Sequence, residues 1–400
     1  MSPPKRERST NICASTPTTL GITTTLPTDI LLEIMARTDL LTVVRGAAVC
    51  KHLRGDILCP SFIRRVIQQA APSILALLCV YAERPLTLVY STAASFFHNH
   101  LSPYMLRNAD KDVLGPYYPV ASRGGLVVLN MNAWPKSEGS LDLCVYDPMM
   151  DSCTFLSKPP DETESSICNE HKYVLLTAAD GIDCSFMLLS IVFNRSSMKV
   201  CTATSSSPTW GPTTCVTHHD FTWWLINSYK DPAVLRGGVI HWLRYTGDQI
   251  VTYNVRTRMP GLVKLPPTKH NARQSHLATS PNGNMLKLLD VDGSKISVWL
   301  LLPTSAEGGG NGWALQTVID IEEKLLFLYP NIHVGVDPDA LVEFKGSGKR
   351  SGDMVLLEAR YEEGSLVIDL KRREMNAQNQ RSTLLEVDLL SRLQNMKLFS

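Results

Sequence analysis

The spacing of apolar residues changes once along the chain, from a helical period to a strand period. Between residues 26 and 70, apolar side chains recur at intervals of three or four. Val49, Leu53 and Ile57 form one such series, which places them on one face of a helix. Three or four short helices in about 45 residues bury little apolar surface, so such a module commonly needs a partner to cover its exposed faces.

From residue 75 to 381 the apolar period is two. The clearest element joins residues 285–291 to residues 294–300 through Asp292-Gly293, which predicts a β-hairpin because both turn positions tolerate a positive φ. No helical stretch of about 10–15 residues interrupts the strand-like runs, which disfavours a parallel α/β sheet. The pattern therefore predicts an all-β domain after the helical module.

An internal repeat indicates the architecture of this β domain. Each copy has an Arg-Gly-Gly turn, an apolar strand, a second strand ending in Tyr-Asp or Tyr-Asn, and a Pro-Pro pair. The copies begin at Arg123 and Arg236, 113 residues apart. That offset fits two propeller blades of about 56 residues or three of about 38. The length predicts a β-propeller of about six blades, with an ordinary β-sandwich as the alternative. A propeller is favoured because so many short strands need an architecture with few exposed edges.

The two ends of the chain differ from both regions. Residues 1–24 are rich in Ser and Thr and poor in large apolar side chains, which predicts a disordered leader, with an organelle transit peptide as the alternative. Residues 382–400 have an amphipathic pattern. It fits either a packed helix or a strand that closes the last blade.

Composition excludes several classes of protein. Apolar residues make up 44% of the 400 residues and charged residues 19%, which is incompatible with a wholly disordered chain. The net charge is +1, so generic nucleic-acid binding is not expected. The longest apolar run has nine residues, whereas a membrane-spanning helix needs about 20, and the first residues do not resemble a signal peptide. We therefore expect an intracellular protein of the cytoplasm or nucleus, without a membrane partner.

Two motifs in the helical region resemble an F-box. They are Leu26-Pro27-Thr28-Asp29-Ile30-Leu31-Leu32-Glu33-Ile34 and Val49-Cys50-Lys51, the second followed at the family spacing by Arg54 and Pro60-Ser61-Phe62. The repeated Arg-Gly-Gly and Tyr-Asp segments resemble the kelch-like associated domain of many plant F-box proteins. The resemblance implies an F-box over residues 25–70 that docks on a Skp-type adaptor and, through it, a cullin. It implies a kelch-like β domain over residues 75–381 that selects a client protein for ubiquitination.

The resemblance also implies which residues contact the adaptor. They are Leu26, Pro27, Ile30, Leu31, Ile34, Leu41, Val44, Val49, Cys50, Lys51 and Leu53. The alternative role for these side chains is to hold the small helical bundle together. The sequence departs from the family at Thr38 and Asp39, where Leu-Pro is usual, and at Leu53, where a larger Trp is usual. Adaptor binding weaker than that of a consensus F-box is therefore expected.

Motifs for catalysis or cofactor binding do not emerge from the sequence. Residues 346–349 lack the first glycine and the final Ser or Thr of a phosphate-binding loop, and the His-rich segment 215–220 has no second cluster at a zinc spacing. We expect no catalytic residue, metal or cofactor, and thus a protein that is not an enzyme. Most of the seven tryptophans are expected in blade cores. Trp134, in a loop-like segment, is a candidate client contact, or it packs on its own blade.

Three functional classes remain open on these grounds. The first is a substrate-recruiting adaptor of a ubiquitin ligase. The second is a propeller enzyme or small-ligand binder, which predicts convergent polar side chains at the central channel. The third is a scaffold that uses its F-box without promoting ubiquitination.

Overall fold

The computed structural model describes most of the helical region and the strands of the β domain. The described residues are 26–38, 42–43, 46–47, 51–59, 62, 74–81, 84–89, 117–131, 143–147, 152–160, 171–194, 197–217, 231–244, 249–266, 274–280, 283–302, 312–330, 342–347, 353–359, 365–371, 373–378 and 382–386. The predicted leader over residues 1–24 and the segment around Trp134 lie outside them.

Helices precede the strands, as the apolar spacing predicts, and residues 42–43, 46–47 and 62 belong to them. Two further helices have their bounds within the described residues. They are α1 (Thr28–Arg37) and α2 (Lys51–Ile57). Pro27 is the residue just before α1, with φ −52° and ψ 142°, so it lies outside the helix. Its carbonyl oxygen still accepts the N–H of Ile30 at 3.0 Å and of Leu31 at 3.1 Å, which starts the helix.

The β domain is built from antiparallel sheets whose strands follow one another along the chain. The first two strands are β1 (Ile74–Tyr81) and β2 (Arg84–Val89). Five four-stranded sheets follow, which we number blades 1 to 5. Blade 1 contains β3 (Tyr117–Arg123), β4 (Leu126–Met131), β5 (Leu143–Asp147) and β6 (Ser152–Leu156). Blade 2 contains β7 (Lys172–Thr177), β8 (Phe186–Phe193), β9 (Ser197–Thr204) and β10 (Thr214–Thr217).

The remaining blades repeat this order. Blade 3 contains β11 (Ala233–Leu235), β12 (Val239–Leu243), β13 (Gln249–Asn254) and β14 (Met259–Lys264). Blade 4 contains β15 (Ser275–Thr279), β16 (Leu286–Asp292), β17 (Lys295–Leu301) and β18 (Trp313–Asp320). Blade 5 contains β19 (Val342–Ser347), β20 (Met354–Ala359), β21 (Ser365–Asp369) and β22 (Glu374–Gln378).

The last strand, β23 (Ser382–Glu386), returns to the start of the domain and pairs with β1. The resulting sheet has the order β2-β1-β23. Of the two possibilities for residues 382–400, the strand is therefore the one observed for residues 382–386. These five residues belong to the propeller, so the predicted boundary at 381 lies before its last strand and is wrong.

The strand contacts identify the architecture as a β-propeller. The first strands of neighbouring sheets touch one another, β3 with β7, β11 with β15 and β15 with β19. Strand β23 touches both β19 and β3, so it occupies the corresponding inner position between blades 5 and 1. Sheets joined through their inner strands into a ring exclude the β-sandwich alternative.

The number of blades differs from the prediction of about six. The described residues form five four-stranded blades, and the sheet that closes the ring has three strands. The estimate from length is wrong because connections between strands are long in places. Residues 157–171, for example, separate β6 from β7 without contributing a strand among the residues described.

The structure shows how many blades the 113-residue offset of the repeat spans. Its two copies are blade 1 and blade 3, with blade 2 between them, so the offset corresponds to two blades. The predicted hairpin is also present, between β16 and β17. Its turn lies one residue later than predicted, because Asp292 pairs with Lys295 and leaves Gly293-Ser294 as the two-residue loop. Gly293 has φ 60°, as the first position of a type II′ turn requires.

The core lies between neighbouring blades. All five residues of β5 are buried, and so are all five of β15, because both faces of these sheets pack against another sheet. A short helix, α3 (Glu322–Leu328), follows β18 and buries Leu325 between blades 4 and 5. The strand-like periodicity did not predict this helix, which has only seven residues.

One buried histidine makes the stability of the ring depend on pH. His241 of β12 is 4% exposed, and its Nδ1 has no hydrogen-bond partner among the described residues. Burial, which disfavours the charged form, lowers the pKa of His241 to about 4. The unfolded chain binds a proton near the ordinary pKa, so it gains protons before the folded state does as the pH falls.

We predict that the protein loses up to about 3 kcal/mol of unfolding free energy between pH 6.5 and pH 4, through His241 alone. His241→Gln removes that titration and flattens the dependence, as measured by urea unfolding at several pH values. The control is His52→Gln, because the His52 side chain on α2 is 81% exposed. Equal slopes for wild type and His241→Gln would contradict the prediction.

A second prediction concerns closure of the ring. A chain that ends at residue 381 lacks β23, so β1 loses a paired neighbour and β3 and β19 lose the strand between them. We expect a lower denaturation midpoint and a less cooperative transition than for a chain that ends at residue 386. Because the two chains differ only in β23, identical unfolding curves would show that the strand does not close the ring.

Candidate functional site

The helical region buries one side of α1 and leaves another exposed. The buried residues of this region are Ala36, Val43, Ala47, Ile57, Leu58 and Phe62. Arg54 of α2 donates from Nε to the carbonyl oxygen of Ala47 at 2.8 Å, which ties α2 to the preceding helical segment. These few side chains make a small core.

The exposed side of α1 carries a row of large apolar side chains. Leu26, Ile30 and Ile34 are 53%, 47% and 46% exposed. Ile30 and Ile34 are one helical turn apart, so they lie on one face of α1, whereas Leu26 lies two residues before the helix begins. None of the three belongs to the core of the helical region, and a contiguous exposed apolar row is typical of a protein-binding surface.

The other residues that the F-box resemblance implicates have varied surroundings. Pro27 and Lys51 are exposed, and Leu31 and Leu53 are half-buried. Leu41, Val44, Val49 and Cys50 lie outside the described residues, as does Asp39. At the departure from the family pattern, the Thr38 hydroxyl donates to the carbonyl oxygen of Met35 at 2.9 Å and helps to end α1.

Gly46 permits close packing in the helical region. A Cβ atom on Gly46 would lie 2.5 Å from Cε of Met35. The helical segment at residues 46–47 therefore approaches α1 more closely than an alanine would allow without movement of the Met35 side chain. The cost of glycine to helix propensity, about 1 kcal/mol relative to Ala, accompanies this packing.

A buried ion pair joins the inner part of the propeller. Arg123 donates from Nε and Nη2 to the two carboxylate oxygens of Asp180 at 2.8 Å and 2.6 Å. The same Nη2 donates to the carbonyl oxygen of Val234 at 3.0 Å. Asp180 also accepts the backbone N–H of Thr177 at 2.9 Å. Arg123 thereby connects blades 1, 2 and 3 in a single bidentate geometry.

A small cavity of about 20 Å³ lies beside this ion pair, between the inner segments of blades 1, 2 and 3. Its polar lining includes Ser122, Arg123, Tyr173 and Asp231. Its volume is enough for about one water molecule and is well below that of small-molecule sites. Because the guanidinium of Arg123 is already bound to Asp180 and Val234, that charge is engaged within the protein.

A second repeat relates blade 2 to blade 4. The segments Thr177-Ala-Ala-Asp-Gly181 and Thr279-Ser-Pro-Asn-Gly283 both connect the first strand of a blade to the second. Each ends in a glycine with positive φ, 79° and 72°. This repeat is hard to find in the sequence because only its Thr and Gly are identical. The signal that could have revealed it is the equal spacing between those two residues.

Tryptophans tie the outer strands of consecutive blades. Trp210 donates from Nε1 to the carbonyl oxygen of Ser157 at 2.8 Å, and Trp313 donates to that of Lys264 at 2.7 Å. Both indoles are half-buried, as is that of Trp299, and all three pack against the cores between blades, while Trp242 is buried within one. The indole donor explains the position, because it needs an acceptor at the blade edge.

The described part of the chain shows neither a cluster of metal ligands nor a membrane-spanning helix. There, no three His, Cys, Asp or Glu side chains come together as the ligands of a metal would. None of the helices there has the length and apolar character that crossing a membrane requires.

The inner-strand ring and the strand pairing of β23 define this protein as a β-propeller. The chain belongs to the family described as "Domain of unknown function (DUF7595)", whose model matches residues 86–399. The matched range begins after the helical region. A comparison with curated proteins gives no match.

Solved structures resemble the chain only distantly. A protein from Lactobacillus plantarum is 12% identical, with a TM-score of 0.37 over 77% of this chain and 82% of the other. A streptogramin B lyase is 10% identical, with a TM-score of 0.34 over 67% and 84%. The Cps50 (Swd1) β-propeller domain of Myceliophteria thermophila is 8% identical, with a TM-score of 0.34 over 67% and 85%. The assignment as a propeller therefore rests on the strand pairing within this chain and not on these similarities.

We predict that Arg123→Met lowers the unfolding free energy by about 3 kcal/mol, because it leaves the Asp180 carboxylate buried without its cation. The Arg123 and Asp180 side chains are only 11% and 2% exposed. Arg37→Met is the control, since the Arg37–Glu33 pair on α1 is mostly exposed and contributes about 0.5 kcal/mol or less. Chemical denaturation measures both, and equal losses for the two variants would contradict the prediction.

Proposed function

We propose that this protein is a substrate-recruiting adaptor subunit of a Skp–cullin–F-box ubiquitin ligase. In this proposal the helical region docks on a Skp-type adaptor, and the propeller selects a client protein for ubiquitination. The chain itself performs no catalysis and acts in the cytoplasm or nucleus.

The observation that carries the proposal is the exposure of Leu26, just before α1, and of Ile30 and Ile34 on α1. An F-box binds its adaptor through apolar side chains at these positions, as the resemblance implies. If the same residues were only a bundle core, they would be buried in the free chain. Their exposure supports a role in which a partner covers them.

The rest of the architecture is compatible with adaptor binding by the helical region and client binding by the propeller. The family match covers the propeller and leaves the helical region outside, so the two parts are separable in sequence. The turns of a propeller blade vary without disturbing the strands, which suits recognition of a client.

Co-purification with a Skp-type adaptor tests the proposal. We expect wild-type chain to retain the adaptor, and Leu26→Ala combined with Pro27→Ala to lose it. Ile30→Asp is expected to weaken binding at least about tenfold, because burying one large aliphatic side chain contributes about 1.5–3 kcal/mol. These residues are exposed in the free chain, so the variants are expected to fold.

Phe327→Ala is the matched control, since Phe327 on α3 is an equally apolar side chain that is 83% exposed but belongs to the propeller. Failure of wild-type chain to capture any Skp-type adaptor would overturn the proposal. Deletion of residues 25–70 distinguishes a ligase subunit from a scaffold. If the chain is a ligase subunit, its client is no longer ubiquitinated after the deletion and becomes longer-lived. If the chain is a scaffold, the deletion changes no client's lifetime.

A further inference from the structure

Blade 3 presents two adjacent turns that connect β11 to β12 and β13 to β14. We call residues 236–238 and 255–258 together the blade 3 turn surface. The N–H of Val255 donates to the carbonyl oxygen of Gly238 at 3.0 Å, which holds the two turns side by side. Three arginines on this surface are exposed: Arg236, Arg256 and Arg258.

The repeat offers an internal comparison with blade 1. The turn between the third and fourth strands has the sequence Asp147-Pro-Met-Met-Asp151 in blade 1 and Asn254-Val-Arg-Thr-Arg258 in blade 3. The flanking pairs are equivalent, Asp147 with Ser152 and Asn254 with Met259. Two carboxylates in one blade therefore correspond to an amide and an arginine in the other, with a further arginine added. The hairpin length is the same and the sign of the charge is reversed.

The turn between the first and second strands carries Arg123 in blade 1 and Arg236 in blade 3. Among the described residues, a carboxylate neutralises Arg123 but not Arg236. Arg123 pairs with Asp180 of the next blade. Blade 4 has Asn282 at the position that corresponds to Asp180, and this residue has no charge. In the described part of the chain, no carboxylate forms an ion pair with Arg236.

Backbone contacts hold the second turn in a defined conformation. The Asn254 side-chain oxygen accepts the N–H groups of Arg256 at 3.0 Å and Thr257 at 3.1 Å. Arg256 donates from Nη2 to the carbonyl oxygen of Gly181 at 2.5 Å, which places its guanidinium beside the neighbouring turn of blade 2. Beside that turn lies one exposed carboxylate, Asp183. The three arginines together with this carboxylate leave a positive net charge.

Arg258 occupies a conformation that its side chain disfavours. Its φ is 58°, in the left-handed region where glycine and asparagine are usual. An ordinary side chain there costs about 1 kcal/mol. Arg373 has the same φ in the corresponding turn of blade 5, so the conformation belongs to this type of turn and does not by itself distinguish Arg258.

We propose that the blade 3 turn surface binds an anionic segment of a polypeptide through Arg236, Arg256 and Arg258. Guanidinium groups bind carboxylate and phosphate oxygens with paired, charge-assisted hydrogen bonds. The chain as a whole has a net charge of only +1, so the attraction is local to this surface. This inference rests on the proposed function, in which the anionic segment belongs to the client.

Fluorescence anisotropy on the full chain tests the proposal. The probes are three labelled Gly-Ser peptides that differ only in carrying phosphoserines, glutamates at the same positions, or unmodified serines. We expect the anionic peptides to bind and the unmodified one not to bind. Added salt is expected to weaken binding because the surface is exposed. Stronger binding of the phosphoserine peptide would identify phosphate, and equal binding would identify acidic side chains in general.

The variants Arg236→Gln and Arg258→Asn together are expected to weaken binding by about tenfold or more. Arg256 is kept because it also contacts blade 2. Arg258→Asn is expected to keep or raise the thermal midpoint, since it relieves a left-handed arginine. Arg373→Asn is the matched control, because Arg373 is the other left-handed arginine, φ 58°, and lies in the corresponding turn of blade 5.

Equal peptide affinity of the double variant and wild type would overturn the inference, as would an equal loss in Arg373→Asn. Tighter binding of a short oligothymidine than of either anionic peptide would assign the surface to nucleic acid instead. These results are distinguishable from failure of the proposed function. If the chain captures no adaptor, the proposed function fails, but the measured peptide affinity remains. If the chain binds no anionic peptide, this inference fails, but adaptor capture remains.

Discussion

The pairing of β23 with β1 joins the end of the β domain to its beginning, and the closed ring depends on it. In a closed ring every sheet has a neighbour on each face, which is why strands such as β5 and β15 are buried along their whole length. An open ring would expose both the inner edge of β1 and the facing surfaces of the first and last blades. Closure therefore gives the apolar side chains of all the other sheets the neighbours that bury them.

Within the ring, one turn position serves two purposes. Arg123 in blade 1 meets a carboxylate, Asp180, and forms a buried connection between blades. Arg236 in blade 3 is exposed, and its backbone N–H donates to the carbonyl oxygen of Gly283 in blade 4 at 2.8 Å. The two turns also differ in length, because Arg123 pairs with Leu126 across a two-residue loop, whereas Arg236 lies in the three-residue loop between Leu235 and Val239. A repeat architecture allows this because each blade contacts only its neighbours.

The helical region leaves some of its large apolar side chains exposed. Its core is small, and two large apolar side chains on α1, Ile30 and Ile34, are exposed. The apolar spacing predicts the helices α1 and α2 well, because an amphipathic pattern needs only local information. It does not determine whether the stripe formed by Ile30 and Ile34 faces the bundle or solvent. That depends on which side of α1 the residues around Val43 and Ile57 cover.

For the β domain, the sequence by itself determined the strands, the antiparallel pairing of neighbours and the repeat between blades 1 and 3. These follow from alternation, turn residues and short separations along the chain. Only the tertiary structure decided the number of complete blades, the strand at residues 382–386, the helix α3 and the pairing of Arg123 with Asp180. Each of these depends on residues far apart in sequence, so no local pattern encodes it. The contacts that close and lock the ring become visible only when distant strands are brought together.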